Sequence, residues 1–319
     1  MSERWKRMVL MGCIGILLGF FSVSFRAEAE GDWIRYAEFN VPYAALKSAL
    51  QADVESEGAV DWVQALAWLS AKYGGEWSRY RPADLTAILE QLAAGEEPGD
   101  LKYYPYFQAV YEAVLGGFLG YNLVENAPGD WVYAYGLRVF SPLAAGYWYN
   151  DFDDFGASRS YGFARPHKGH DLMGSTGTPV IAVESGRVEA MGWNQYGGWR
   201  IGIRSEDNKR YWYYAHLRKD HPFAAGLQEG DRVTAGDVIG YLGQTGYSHK
   251  ENVNGIETPH LHYGLELIFD ESQKESANEI WVDLYALTRL LRAYPVEVVR
   301  QGEEFVRAHH FLLCGEGEP

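Results

Sequence analysis

Pro259-His260-Leu261-His262-Tyr263 sets two imidazoles two positions apart. Side chains on a strand alternate with period two, so His260 and His262 share one face and Leu261 takes the other. Working outward, Tyr213-Tyr214-Ala215-His216-Leu217 reads as an aromatic strand ended by a third imidazole, and Arg165-Pro166-His167-Lys168-Gly169-His170-Asp171 supplies a fourth with a carboxylate. His167 and Asp171 stand four apart, so on a strand they too point the same way. His170 then falls on the opposite face and reads as a structural or supporting residue. Two imidazoles and one carboxylate are a three-ligand set for zinc with a fourth position open to water. Two spare imidazoles beside them suit acid–base work near neutral pH. Each motif alone is weak, because an H-x-H pair or an H-x-x-x-D pair is more often a surface or core feature. All nine histidines lie between 167 and 310. His221, His249, His309 and His310 fall in loop or tail contexts and read as solvated.

Around these motifs Val180–Val183, Arg187–Trp193, Trp199–Ile203, Arg210–His216 and Val238–Leu242 are short β-type runs. Glycine-rich punctuation such as Gly197-Gly198 and Glu229-Gly230-Asp231 separates them. The pattern predicts a compact antiparallel β domain, with a helix over Trp281–Leu291 packed back on it. Residues 30–125 read as helical. Asn40-Val41-Pro42 offers a cap and an early proline before Tyr43–Val54. Asp61–Tyr73 stops at Gly74-Gly75. Pro82 opens a helix with Leu85, Ile88, Leu89 and Leu92 at helical spacing, and Pro105 opens another with Phe107, Val110, Tyr111 and Val114. Residues 126–150, with Asn126-Ala127-Pro128-Gly129 and Ser141-Pro142, read as a connector. The fold class is therefore α+β: a helical domain followed by a mainly antiparallel β domain. The expected divisions are 1–29, 30–130, 131–295 and a C-terminal tail, 296–319.

At the N-terminus Arg4, Lys6 and Arg7 precede the uncharged apolar run Met8–Phe25 and the small-x-small triplet Ala27-Glu28-Ala29. That is the form of a secretory signal peptide over residues 1–29, the alternative being an uncleaved membrane anchor. Either way the expectation is an exported chain, secreted or extracytoplasmic. A lipid-modified Cys13 is disfavoured, because too little apolar sequence precedes it. Cys13 and Cys314 are the two cysteines of 319 residues, so no internal disulfide framework is expected. Hydrophobic content of 47% against 22% charged residues allows a substantial core. A net charge of −15 excludes a nucleic-acid grip built on a basic face, and no nucleic-acid partner is expected.

The segment from about 155 to 267 resembles the catalytic domain of the lysostaphin-type zinc endopeptidases, which are peptidoglycan hydrolases of the DD-endopeptidase and glycyl-glycine kind. The resemblance is carried by Phe155-Gly156-Ala157-Ser158-Arg159, His167-x-x-x-Asp171, Gly177-Thr178-Pro179-Val180, Ala182-x-x-x-Gly186, Tyr214-Ala215-His216-Leu217, Gly240-x-x-Gly243-x-Thr245-Gly246 and Pro259-His260-Leu261-His262. It implies a small antiparallel β core with Zn2+ in a narrow groove. It makes His167, Asp171 and His262 the metal ligands and His216 and His260 the catalytic pair. Leu227–Asp237 resembles the family's β-hammerhead-like turn. Two departures stand out: His170 replaces a small or aliphatic residue, and a long loop, Gly246–Thr258, precedes the H-x-H pair. The implied function is an exported zinc metalloendopeptidase acting on peptidoglycan stem or cross-bridge peptides. The alternative is a non-hydrolytic wall-binding or scaffold protein, with the helical domain contacting an activator protein. Tyr161 or Tyr214 could donate to the oxyanion, against the plainer reading of aromatic packing.

Overall fold

The computed structural model describes residues 34–313 except 128, 162 and 275. The signal or anchor segment, Cys13 and Cys314 lie outside the described residues, as does the Tyr161 side chain. Residues from Ile34 onward form one compact unit, and no helix among the described residues is long and apolar enough to cross a membrane.

Among the described residues four α-helices come first: α1 (Tyr43–Glu55), α2 (Trp62–Tyr73), α3 (Pro82–Ala93) and α4 (Tyr104–Leu115). The Asp61 side chain accepts the Gln64 N–H at the head of α2, and Gly74 closes it at φ 64°, a conformation glycine adopts at no steric cost. Asn40 does not cap α1. Its amide bonds Glu38 and the Gly75 carbonyl instead, and the N-cap of α1 is Pro42. The apolar stripes meet in a core that contains Leu46, Leu66, Leu85, Ile88 and Val110. Inside it Tyr111 and Ser70 share a 2.6 Å hydrogen bond, and Trp77 donates to Ser70 at 2.8 Å.

The helical reading of residues 30–125 and the connector reading of 126–150 both give way at the same place. Strands β1 (Leu119–Ala127) and β2 (Asp130–Leu137) form a hairpin. The last strand, β17 (Phe311–Leu313), pairs with β1. Tyr121 and Tyr133 stack across the hairpin at 4.8 Å between ring centres, and β2 is exposed along most of its length. Trp131, Tyr133 and Tyr135 do recur with period two on β2, but the turn-rich residues between the two strands read as a connector.

The remainder is the antiparallel β domain that the sequence predicts. Its strands are β3 (Asn150–Asp151), β4 (Ser158–Tyr161), β5 (Phe163–Pro166), β6 (His170–Met173), β7 (Pro179–Ile181), β8 (Gly186–Asn194), β9 (Gly198–Ser205), β10 (Arg210–Ala215), β11 (Arg232–Val233), β12 (Val238–Tyr241), β13 (His260–Leu267) and β14 (Ile280–Trp281). The central sheet runs β11-β8-β9-β10-β13-β6-β3, with β14 also on β13. Its register sets Ala215 opposite His262 and Asp171 opposite His262 on the other side. The expected helix from Trp281 begins later, as α5 (Tyr285–Leu291), because Ile280–Trp281 pairs with β13 first. The C-terminal segment is structured too, with β15 (Val298–Gln301) and β16 (Glu304–Arg307) forming a hairpin. Helices and sheet are joined by Arg210, which donates to the Ala113 carbonyl at 2.9 Å and ion-pairs with Glu184.

Candidate metal centre

His262 is the third residue of β13, directly between Asp171 on β6 and Ala215 on β10. Its Nδ1 lies 3.0 Å from Asp171 Oδ1 and 2.8 Å from His167 Nε2. His167 Nε2 closes the triangle at 3.1 Å from the same carboxylate oxygen. Tetrahedral ligation at about 2.0–2.1 Å sets donor atoms about 3.3 Å apart, so three donors this close, two imidazole and one carboxylate, fit a zinc ion. His167, Asp171 and His262 also form the cluster of candidate metal ligands among the described residues. Gly169 allows the crowding: a Cβ there would lie 2.6 Å from His262 Cε1 and 2.7 Å from Nε2. The chain can thus pack against the outer edge of the ring and leave Nδ1 aimed inward.

A second layer orients the donors. His167 Nδ1 faces the Asp154 carbonyl at 3.1 Å and the Asp154 carboxylate at 3.3 Å. Donation from Nδ1 leaves the lone pair on Nε2. Arg159 bridges Asp154 at 2.8 Å and Asp171 Oδ2 at 2.9 Å, so Asp171 offers Oδ1 to the centre. Burial opposes charge on His167, but hydrogen bonds to Asp154 and Asp171 outweigh it and raise its pKa to about 9. Burial likewise opposes charge on Asp171, and hydrogen bonds from His167 and His262 reverse that, holding its carboxyl well below the usual carboxylate range. Burial pushes His262 down, against the pull of Asp171.

His216 and His260 stand beside this triangle. Their ring centres are 4.8 Å apart, and His216 is 5.9 Å from His262. His216 Nδ1 donates to the Thr245 carbonyl and His260 Nδ1 to the Thr258 carbonyl, each at 2.8 Å. That leaves Nε2 of each ring as an acceptor. His260 Nε2 lies 3.9 Å from Asp171 Oδ1. Burial drives the His216 pKa well below its ordinary value, and the neighbouring His260 and His262 add to that.

The five predicted site residues therefore converge, though not by the route expected. His167 lies in the turn between β5 and β6 and not on a strand, so alternation does not explain why it meets Asp171. His216 follows β10 with φ 60°, a left-handed backbone that a non-glycine residue seldom adopts. Alternation would send it to the face opposite Ala215, and the left-handed turn brings it back. Tyr214 follows the plainer reading of aromatic packing and does not donate to the oxyanion. Tyr214 is fully buried and its hydroxyl accepts the Val183 N–H, whereas Tyr213 faces the cleft. His170 is buried and held by Asp154 at 3.2 Å and Asp151 at 3.5 Å. His221 hydrogen-bonds Glu304 at 2.5 Å, a correction to its solvated reading, and His310 stacks on Trp131. Asp154, Arg159 and Tyr213 carry roles the sequence did not reveal. Arg159 stands inside a quoted motif, and Asp154 in an acidic run, Asp151–Asp154, whose composition says nothing of direction.

The cleft around the centre has a volume of about 710 Å³. Tyr213 and Trp281 meet edge to face on one wall, and Arg165 lies over the rings of Tyr196 and Tyr247 on another.

Residues 165–276 match the model of Peptidase family M23. This chain carries a peptidase family M23 domain. The match holds all three residues of the donor triangle together with His216 and His260. An L-Ala–D-Glu endopeptidase of Bacillus subtilis is 42% identical over 124 residues, covering 39% of this chain and 36% of that protein. Glycyl-glycine endopeptidase ALE-1 of Staphylococcus capitis is 39% identical over 98 residues, 30% of this chain and 24% of that protein. The M23 alignments thus span about a third or less of these relatives. A crystal structure from Ruminococcus gnavus, a proposed glycyl-glycine endopeptidase lytM, superposes with a TM-score of 0.55 at 24% identity, over 85% of this chain and 95% of that one. That likeness extends the shared fold beyond the M23 domain to most of the chain.

Proposed function

We propose that this protein is an exported, zinc-dependent endopeptidase that hydrolyses peptide bonds of bacterial peptidoglycan. The observation that carries the reading is the triangle of His167 Nε2, Asp171 Oδ1 and His262 Nδ1, with edges of 2.8–3.1 Å, open to a cleft that two further imidazoles share. The names of the M23 relatives, which describe peptidoglycan-type endopeptidases, support it. His167, Asp171 and His262 would hold the zinc. When bound it would polarise the scissile carbonyl and make a water nucleophilic at neutral pH.

The chain's own residues handle the protons. His216 and His260 each direct Nε2 into the cleft as the proton-accepting atom, because each Nδ1–H is tied to a carbonyl. Two imidazolium rings 4.8 Å apart would repel each other. Burial makes a protonated His216 a strong acid, suited to passing that proton to the leaving amine. Arg159 holds Asp171 and Asp154 in place and keeps His167 turned inward. The aromatic walls exclude water and bear on the peptide backbone.

Mass spectrometry of muropeptides released from purified peptidoglycan by the zinc-loaded full chain tests the reading. New peptide amine termini are expected. Binding to the wall without any new terminus would leave the scaffold alternative in its place.

A further inference from the structure

Five cations and three carboxylates line the cleft, an excess of positive charge in a chain whose net charge is −15. Four of the cations are engaged. Arg159 bridges Asp154 and Asp171, Lys168 pairs with Glu279 at 2.7 Å, and Lys274 pairs with Glu189. Arg165 lies over two tyrosine rings and donates to the Tyr247 hydroxyl at 3.4 Å. Arg200 differs. Among the described residues no carboxylate lies within ion-pair distance of its guanidinium, and its Nε is screened from solvent without a hydrogen-bond partner.

The sheet register fixes where that charge stands. Tyr213 pairs with Gly202 on one side, and Ala215 pairs with His262 on the other. Paired residues and residues two apart share a face, so Arg200, Tyr213, Ala215 and His262 all look into the cleft. Arg200 is on β9, two strands from β13. At about 4.8 Å per strand its backbone is about 10 Å from that of His262, and its side chain reaches back over part of that gap. An extended peptide advances about 3.3–3.6 Å per residue. A peptide cut at the metal centre and laid across the strands therefore meets Arg200 within roughly three residues of the scissile bond. A partly buried guanidinium that lines the cleft with no carboxylate at ion-pair distance is matched by a substrate carboxylate, whose two oxygens fit its fork.

We propose that Arg200 is a specificity-determining residue that binds a substrate carboxylate, so that the preferred substrate is an acidic stem peptide and not an uncharged glycine bridge. This rests on the peptidase reading above. Arg200 acts in binding and orientation and touches no reacting atom.

The test compares two synthetic stem peptides, one with its carboxylates free and one with every carboxylate converted to carboxamide. Each is presented to the zinc-loaded full chain and to its Arg200→Gln and Arg200→Lys variants. Binding is followed by calorimetry and cleavage by amine release. The wild type should bind and cleave the acid form roughly 10- to 100-fold better than the amide, as expected of a charge-assisted hydrogen bond. Arg200→Gln should bring that ratio close to one, and Arg200→Lys should keep part of it. An acid-to-amide ratio unchanged in Arg200→Gln overturns the proposal, as does failure of the wild type to bind the acid peptide. A binding preference that depends on Arg200 without any cleavage would uphold Arg200 and overturn the peptidase reading instead.

Discussion

Two buried carboxylates, one in each half of the molecule, behave oppositely. Asp53 in the helical half is 2% exposed, and Asp171 in the β half is 6% exposed. Asp53 accepts the Trp62 N–H at 2.9 Å and the Tyr135 hydroxyl at 2.8 Å, both neutral donors. Burial wins there and its pKa is raised. Asp171 is surrounded by three imidazoles and by Arg159. Its charge is stabilised and its pKa is lowered. The lesson is that burial alone does not mark a site. The buried carboxylate of the helical half is satisfied by neutral protein groups, as Ser70, Tyr111 and Trp77 satisfy one another. The β half points several of its own into one cleft.

The contrast can be broken at either end. The largest effect is expected from Asp171→Ala. It should abolish zinc binding and lower peptidoglycan cleavage by about a thousandfold or more, since it removes a proposed ligand of the zinc ion. Metal content by atomic emission alongside amine release checks this, and full activity in a zinc-free variant would refute the assignment. His260→Ala should keep its zinc and lose about 10²–10⁴-fold in turnover, the usual worth of a positioned acid or base. Loss of the metal in that variant would show the division into ligands and proton carriers to be wrong.

A smaller effect concerns pH. A ligand must be deprotonated, and His167 in the metal-free protein has its pKa raised to about 9. Zinc affinity should therefore climb by about tenfold per pH unit from pH 7 towards 9 and then level off. The sign reverses for the metal-free fold. Protonated His167 contributes stability that is complete below its unfolded pKa of about 6.5 and is lost as pH rises through about 9. Competition titration with a chromophoric chelator measures the first and urea unfolding the second. A flat affinity profile over that range would count against the His167–Asp154–Asp171 network.

The smallest effect belongs to the helical half. Asp53→Ala leaves the Trp62 N–H and the Tyr135 hydroxyl without their acceptor and should cost about 1–3 kcal/mol of stability, with zinc content unchanged. A zinc-free Asp53→Ala protein that still folds would erase the distinction between the two halves.

How much of this was legible in sequence depends on how local the cause is. The helices from Trp62, Pro82 and Tyr104 follow from caps, prolines and periodicity, all encoded within a dozen residues. His260 and His262 follow from strand alternation. The β1–β2 hairpin does not, although Trp131, Tyr133 and Tyr135 recur with period two, because the turn-rich residues between its strands read as a connector and β17, which pairs with β1, comes almost two hundred residues later. His167 and His216 reach the centre through a turn and a left-handed residue, where alternation has no force. Family resemblance named them and backbone periodicity did not. Asp154, Arg159 and Arg200 are read only from distances, since an ion pair, or the lack of one, is a property of the folded chain.

The central claim is that imidazoles and a carboxylate from separate segments work around one zinc ion. The direct measurement is amine release from peptidoglycan by the full chain as zinc is added back from zero to one equivalent. The account predicts release that rises in proportion to bound zinc and ends at one ion per chain. Release that is already complete in metal-free protein, or that never begins at full occupancy, would contradict it.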